Sequence, residues 1–179
     1  MIDPAIGALL AGALALLFVS AALHKLRNPG RFAELFRAYR LLPEGLTRLW
    51  WLVPVLELTT GAGLLAGRSR AGACAAGAAL LLGYATAMAI NLQRGRRDLA
   101  CGCGGADERR AIAEWMVWRN VILAGLLGAM LLPWRARAMT GADALTIGAG
   151  TAVASLLYMS VDRLLGRVAP ATALLRGAR

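Results

Sequence analysis

The chain has 179 residues, of which 59% are hydrophobic before its 21 glycines are counted and only 17% are charged. With glycine included the apolar share is about 71%, against about 45–50% in ordinary globular proteins, and the mean hydropathy is +0.60, so a water-soluble fold would have to coat itself in aliphatic side chains; the composition excludes one and points to a membrane protein. The formal charge of +10 would raise nucleic acid binding in a soluble protein, but here it lies between apolar runs, where it sets orientation, and no nucleic acid partner is expected.

In chain order, the first apolar run extends from Pro4 to Leu23 without a charge, long enough to cross a hydrocarbon core of roughly 30 Å. Met1-Ile2-Asp3-Pro4 lacks the basic start of a secretory signal, so this run is read as a retained span. The connection that follows predicts a helix of its own. Phe32, Leu35, Phe36 and Tyr39 recur at helical spacing, Arg31, Glu34, Arg37 and Arg40 fill the other face, and Asn28-Pro29-Gly30 and Leu42-Pro43 bracket it. An amphipathic helix lying on the bilayer, its arginines toward anionic headgroups, is expected; a docking surface for a partner protein is the alternative.

A second span is predicted from Leu49 to Gly67 with one acid, Glu57, inside it, and a third from Ala71 to Leu92. The fourth, about Ala111 to Trp134, is interrupted by Glu114 and Arg119, and a fifth runs from Ala144 to Val161. The expected fold is therefore all-α: a compact bundle of four to five transmembrane helices with an interfacial helix in the first loop. Residues 1–134 form a four-span domain, and residues 135–179 add a fifth span and a basic tail. Small residues at Ala8/Gly12, Gly63/Gly67, Gly72/Ala76 and Gly148/Ala152 have the spacing of close helix contacts, although general Ala/Gly richness explains any one pair equally well. Alternate connections carry sixteen and four of the 20 Lys and Arg, which by the positive-inside rule puts the amino terminus outside and the segments Lys25 to Arg48 and Arg94 to Arg110 in the cytoplasm.

Three cysteines exclude a disulfide-dense scaffold, and a single histidine, His24, excludes a His-rich metal or haem site. The sharpest local feature is Cys101-Gly102-Cys103-Gly104-Gly105, just before the fourth span. Two thiols one glycine apart can close a small strained ring, and strain makes such a pair a better oxidant. Arg96, Arg97, Arg109 and Arg110 nearby favour thiolate, while Asp107 and Glu108 oppose it. Thiol–disulfide exchange is the leading reading, with Cys101 and Cys103 as the reacting residues. A two-thiolate clasp for Cu(I), Zn or Hg and an incidental pair in a Gly-rich turn are the alternatives; two ligands are too few for a closed zinc site, and no metal is assigned. Cys74 lies about 27 Å of helix from Leu92, near the opposite face from Cys101, and reads as a small buried apolar residue. A relay across the bilayer therefore needs a quinone, a large movement or a partner's thiols.

Ionisable groups inside spans are costly and are usually paired or functional. Glu57 and Arg119 are expected to pair, either as structural support or as a site for a ligand headgroup. His24 and Lys25, at the end of the first span, read either as interfacial snorkelling side chains or, for His24, as a proton shuttle.

Three stretches in order carry a resemblance: Ser20-Ala21-Ala22-Leu23-His24-Lys25-Leu26-Arg27-Asn28-Pro29 with Phe32 and Tyr39-Arg40-Leu41-Leu42-Pro43; Pro54-Val55-Leu56-Glu57-Leu58 with Gly61 and Leu64-Leu65; and Cys101-Gly102-Cys103-Gly104-Gly105. Over about residues 5 to 134 the chain resembles the methylamine utilisation protein MauE family, within the DoxX-like membrane proteins. The resemblance implies a multi-pass protein of the bacterial inner membrane. It would support maturation of the disulfide-rich small subunit of periplasmic methylamine dehydrogenase, or a similar client, with a thioredoxin-like partner of the MauD type. Cys101 and Cys103 carry over as the motif pair, and His24, Lys25 and Glu57 as motif residues of unassigned role. Thiol oxidoreductases of the vitamin K epoxide reductase type also place a cysteine pair before a fourth helix, an analogy of fold only. Those pairs face outward, as a periplasmic client requires, whereas the charge count turns this pair inward, where cytosolic thioredoxin-like donors would supply electrons. The electron acceptor is open, a quinone being one candidate, and a non-enzymatic scaffold or soft-metal transport subunit is the alternative function.

Overall fold

The computed structural model describes residues 3–102, 111–135 and 137–177, with side chains to residue 166. The described residues are helical apart from turns and one isolated bridge. The helices are α1 (Pro4–Arg27), α2 (Pro29–Ala38), α3 (Glu44–Thr47), a 3-10 turn (Arg48–Trp51), α4 (Leu52–Leu65), α5 (Arg70–Gln93), α6 (Glu114–Ala129) and α7 (Gly141–Gly177). Asp3 caps α1 by accepting from the Ala5 amide at 2.9 Å, with Pro4 in the first turn, where its missing N–H costs nothing.

Pro4–Arg27, Arg70–Gln93 and Gly141–Gly166 are long and apolar enough to cross a membrane. The second and fourth predicted spans form shorter helices. The 14 residues of α4 rise about 21 Å, because residues 48–51 wind as a 3-10 turn before it; α6 has 16 residues. Leucines and isoleucines stand out from the bundle, including Leu16 at 53%, Ile122 at 62% and Leu156 at 63% exposure. Such a surface suits lipid rather than water.

Packing runs α7 on α1, α1 on α4, α4 on α5 and α5 on α6. The core between them is built from Phe18, Leu64, Cys74, Leu81 and Leu127. Glycine sets the spacing at particular points. A Cβ on Gly77 would stand 2.9 Å from Leu127 Cδ1, 3.0 Å from Thr60 Cγ2 and 3.1 Å from Phe18 Cζ, and one on Gly61 would stand 2.9 Å from Val19 Cγ2. Among the small residues expected to make close contacts, Gly12 meets Thr151 and Gly63 meets Ala73, whereas Gly67, Gly72 and Gly148 face open space. Spacing alone does not separate them; the neighbour across the interface does.

The helix expected in the first loop is present, with Arg31, Glu34, Arg37 and Arg40 exposed and Phe32, Leu35, Phe36 and Tyr39 half-buried. Its apolar face meets protein. Phe32 packs edge-on against Trp50 at 6.2 Å between ring centroids, and Tyr39 donates from its hydroxyl to Ala100 O at 3.1 Å. Both basic connections lie at the same end of the bundle and grip one another there. Arg96 donates to Ala38 O at 2.7 Å and to Asn91 Oδ1 at 2.9 Å, and Asn91 donates to Tyr39 O at 3.2 Å. A guanidinium on the last carbonyls of α2 offsets the negative end of its dipole.

Candidate functional site

At that same end, α1, α2, α4, α5, α6 and α7 surround a cavity of about 750 Å³. Its deepest polar group is Glu57, 1% exposed. Glu57 stands one turn into α4, on the side that faces α1 and α5. Lys25 Nζ donates to its Oε1 at 2.7 Å and Tyr84 donates to the same oxygen at 2.8 Å, while among the described residues no group donates to Oε2. Lys25 is itself 4% exposed, its ammonium 5.5 Å from the centre of the Phe32 ring and 5.6 Å from that of Tyr84. A cation held by one carboxylate oxygen and two aromatic rings needs little water.

The expected pairing of Glu57 with Arg119 does not form. Lys25 arrives from the last turn of α1, directly across from α4, and takes the acid. Arg119, on α6, instead pairs with Asp162 of α7 and lies over the Trp115 ring at 5.5 Å. Asp162 had no place in the sequence reading because it falls beyond the predicted fifth span; α7 continues unbroken past it. Both pairs line the cavity, as does His24.

Cys101 sits on the cavity wall, half-buried and disulfide-bonded. Its sulfur lies 3.9 Å from Met88 Sδ; a half-cystine has no S–H to donate, so this is a van der Waals contact. Cys103 lies outside the described residues, as do Asp107, Glu108, Arg109 and Arg110. The described ends of the loop are pinned together: Ala100 bridges Ala111, and the Ile112 amide donates to Leu99 O at 2.9 Å. Gly102 has φ +67°, and a Cβ there would overlap Leu35 Cδ2. Among the described residues of the loop, this is the one position where both the backbone and the overlying helix require glycine. The Tyr39 phenol, fixed on the carbonyls of Ala100 and Cys101, is pushed up to about 12 by burial.

Of the arginines expected to favour thiolate, the two among the described residues are engaged elsewhere. Arg96 holds Ala38 O and Asn91, and Arg97 pairs with Glu114 at 2.9 Å on the exposed surface. Cys74, by contrast, is 1% exposed and free within the apolar core, as expected of a small apolar residue. Among the described residues no cluster of three His, Cys, Asp or Glu is placed to hold a metal.

The sequence reading missed Tyr84 and Met88, four apart on α5 and both facing the cavity. A hydroxyl inside an otherwise apolar span was the available signal.

The family model for methylamine utilisation protein MauE matches residues 3–135. The chain belongs to the MauE family. A Paracoccus denitrificans relative, "Methylamine utilization protein MauE", is 40% identical over 89% of this chain and 87% of its own length. A protein of the same name from Paracoccus versutus is 39% identical over 98% and 96%, and one from Methylophilus methylotrophus 33% over 92% and 88%. No solved structure matches the chain. In this MauE-family chain the matched region holds the Lys25–Glu57–Tyr84 cluster and the cysteine loop; Asp162, which ties α7 to α6, lies beyond it.

Proposed function

We propose that this chain is a multi-pass inner-membrane protein of methylamine utilisation whose Cys101/Cys103 pair exchanges thiol and disulfide with a thioredoxin-like partner, supporting disulfide formation in a periplasmic client such as the methylamine dehydrogenase small subunit. The observation that carries the reading is a disulfide-bonded Cys101 on the wall of a cavity, at the end of the bundle away from the buried thiol of Cys74. In the exchange a partner thiolate attacks one sulfur of the pair, and the other leaves as thiolate. The partner's second thiolate then cleaves the mixed disulfide. Two electrons and two protons move together, so the partner leaves oxidised and the pair reduced.

Five helices, α1, α4, α5, α6 and α7, serve as the membrane bundle, the shorter α4 and α6 completed by the turns beside them, and α2 lies at the interface with its arginines toward headgroups. Cys103→Ser is expected to trap a mixed disulfide between Cys101 and the partner. Membrane-impermeant maleimide applied to spheroplasts and to inverted vesicles, before and after mild reduction, then fixes the face. Labelling from outside only after reduction makes the pair a direct donor to periplasmic proteins. Labelling from the basic, cytoplasmic side makes it a relay fed by cytosolic thioredoxin-like donors. Stoichiometric Cu(I) or Zn retention lost in Cys103→Ser, with no trapped partner, would replace exchange with the soft-metal reading.

A further inference from the structure

The cavity ends at a buried acceptor and a buried donor whose hydrogen bonding the described protein groups leave incomplete. Glu57 Oε2 is buried with no donor among the described residues, although Oε1 beside it takes two. Lys25 carries three N–H groups; one goes to Glu57, and the contact with Ala21 O is long at 3.5 Å. Beyond this end the lining is mainly apolar, with Leu17, Phe36, Leu81 and Leu123, and is interrupted by His24, Arg27, Arg163 and the Arg119–Asp162 pair; the volume of about 750 Å³ is within the range of sites that enclose a small organic molecule. At Oε2 itself an anionic head would meet the Glu57 carboxylate. The complement is a neutral ring on an apolar body, bearing oxygens that accept from an ammonium in one state and donate to a carboxylate in another.

We propose that this chamber binds the head of a lipid-soluble quinone, Lys25 donating to a carbonyl of the oxidised form and Glu57 Oε2 accepting from a hydroxyl of the reduced form. The choice of a quinone over other neutral hydroxyl-bearing lipids rests on the thiol–disulfide reading, because the disulfide-bonded Cys101 lines the same chamber. The binding geometry does not. Glu57 and Lys25 would thus select between redox states of one ligand.

The test is calorimetric titration of the full chain in phosphatidylcholine nanodiscs with decylubiquinone and, anaerobically, its quinol, in a Cys101→Ala background so that neither form reacts during the titration. Both are expected to bind saturably. Glu57→Gln keeps an oxygen for Lys25 and Tyr84 but puts a donor where Oε2 stood, so the ratio of quinol to quinone affinity is expected to fall at least tenfold. Leu123→Trp, which fills the chamber without touching Lys25 or Glu57, is expected to abolish binding of both. Absence of saturable binding, a ratio unchanged in a folded Glu57→Gln protein, or displacement of decylubiquinone by phosphatidylglycerol would each overturn the proposal. Loss of mixed-disulfide trapping alongside intact, ratio-sensitive binding would overturn the relay and leave the site standing.

Discussion

The two ends of α5 carry the same residue type in opposite settings. Near its start, Cys74 is a free thiol sealed among Phe18, Leu64 and Leu127, with Gly77 one turn on allowing those side chains to close. Just past its end, Cys101 is disulfide-bonded beside Met88, with Leu35 of α2 over the adjoining Gly102 and a cavity in front. One end is tightly packed; the other keeps space, a buried ion pair and a half-buried cystine. The surroundings of each sulfur, not the residue type, distinguish the two cysteines.

The largest expected effect separates the cysteines. Cys101→Ser should abolish mixed-disulfide formation and growth on methylamine in a complementation assay, while Cys74→Ala should leave both intact; equal losses would erase the distinction between the two ends. Next is the ion pair. Lys25→Met leaves Glu57 as a buried charge without its cation and is expected to cost about 3–5 kcal/mol, read as a fall in thermal unfolding temperature in detergent, with most of it restored when Glu57→Met is added. A loss that the second substitution deepens would mean the pair is not the unit.

Smaller effects sharpen the packing contrast. Gly77→Val drives a side chain into Leu127, Thr60 and Phe18 and should cost about 1–3 kcal/mol, whereas Gly72→Val, with nothing within 4 Å, should be tolerated. Comparable melting temperatures for the two would show that the core is looser than described. The smallest effect concerns the loop. Tyr39→Phe removes the hydroxyl from Ala100 O and should cost about 1 kcal/mol. Because burial pushes the phenol up to about 12, from about 10 in an unfolded chain, the folded state holds its proton more tightly. That stabilisation is complete below about pH 10 and is lost as pH rises toward about 12. Ultraviolet titration of wild type against Tyr39→Phe checks it, and a phenol ionising near pH 10 would undock α2 from the loop.

Much of the site was legible as residues and little of it as partners. Cys101, Glu57, Lys25 and His24 stand out in the sequence because a thiol pair among glycines and charges inside apolar runs are costly anomalies. The partner of Glu57 was misassigned to Arg119, since a sequence gives depth along each helix but not which helix lies opposite. Tyr84 was overlooked because one hydroxyl in an apolar span costs little enough to pass unnoticed. Arg96 looked like an electrostatic aid to a thiolate, yet its carbonyl partner on α2, Ala38 O, lies 58 residues away in the chain.

The sequence by itself determined that the chain is helical and suited to a membrane, that a short amphipathic helix follows the first span, and that the cysteine at residue 101 differs from the one at 74. Composition and periodicity suffice for these, because burial of apolar side chains and internal backbone hydrogen bonding act locally along each helix. Only the tertiary structure decided that Lys25 and Tyr84 share one oxygen of Glu57, that Arg119 reaches Asp162, and that α2 folds its apolar face over the loop bearing Cys101. Those outcomes depend on which helices become neighbours and how closely glycine lets them approach, and on the penalty for leaving a buried charge unpaired, which selects among arrangements the linear chain leaves equivalent.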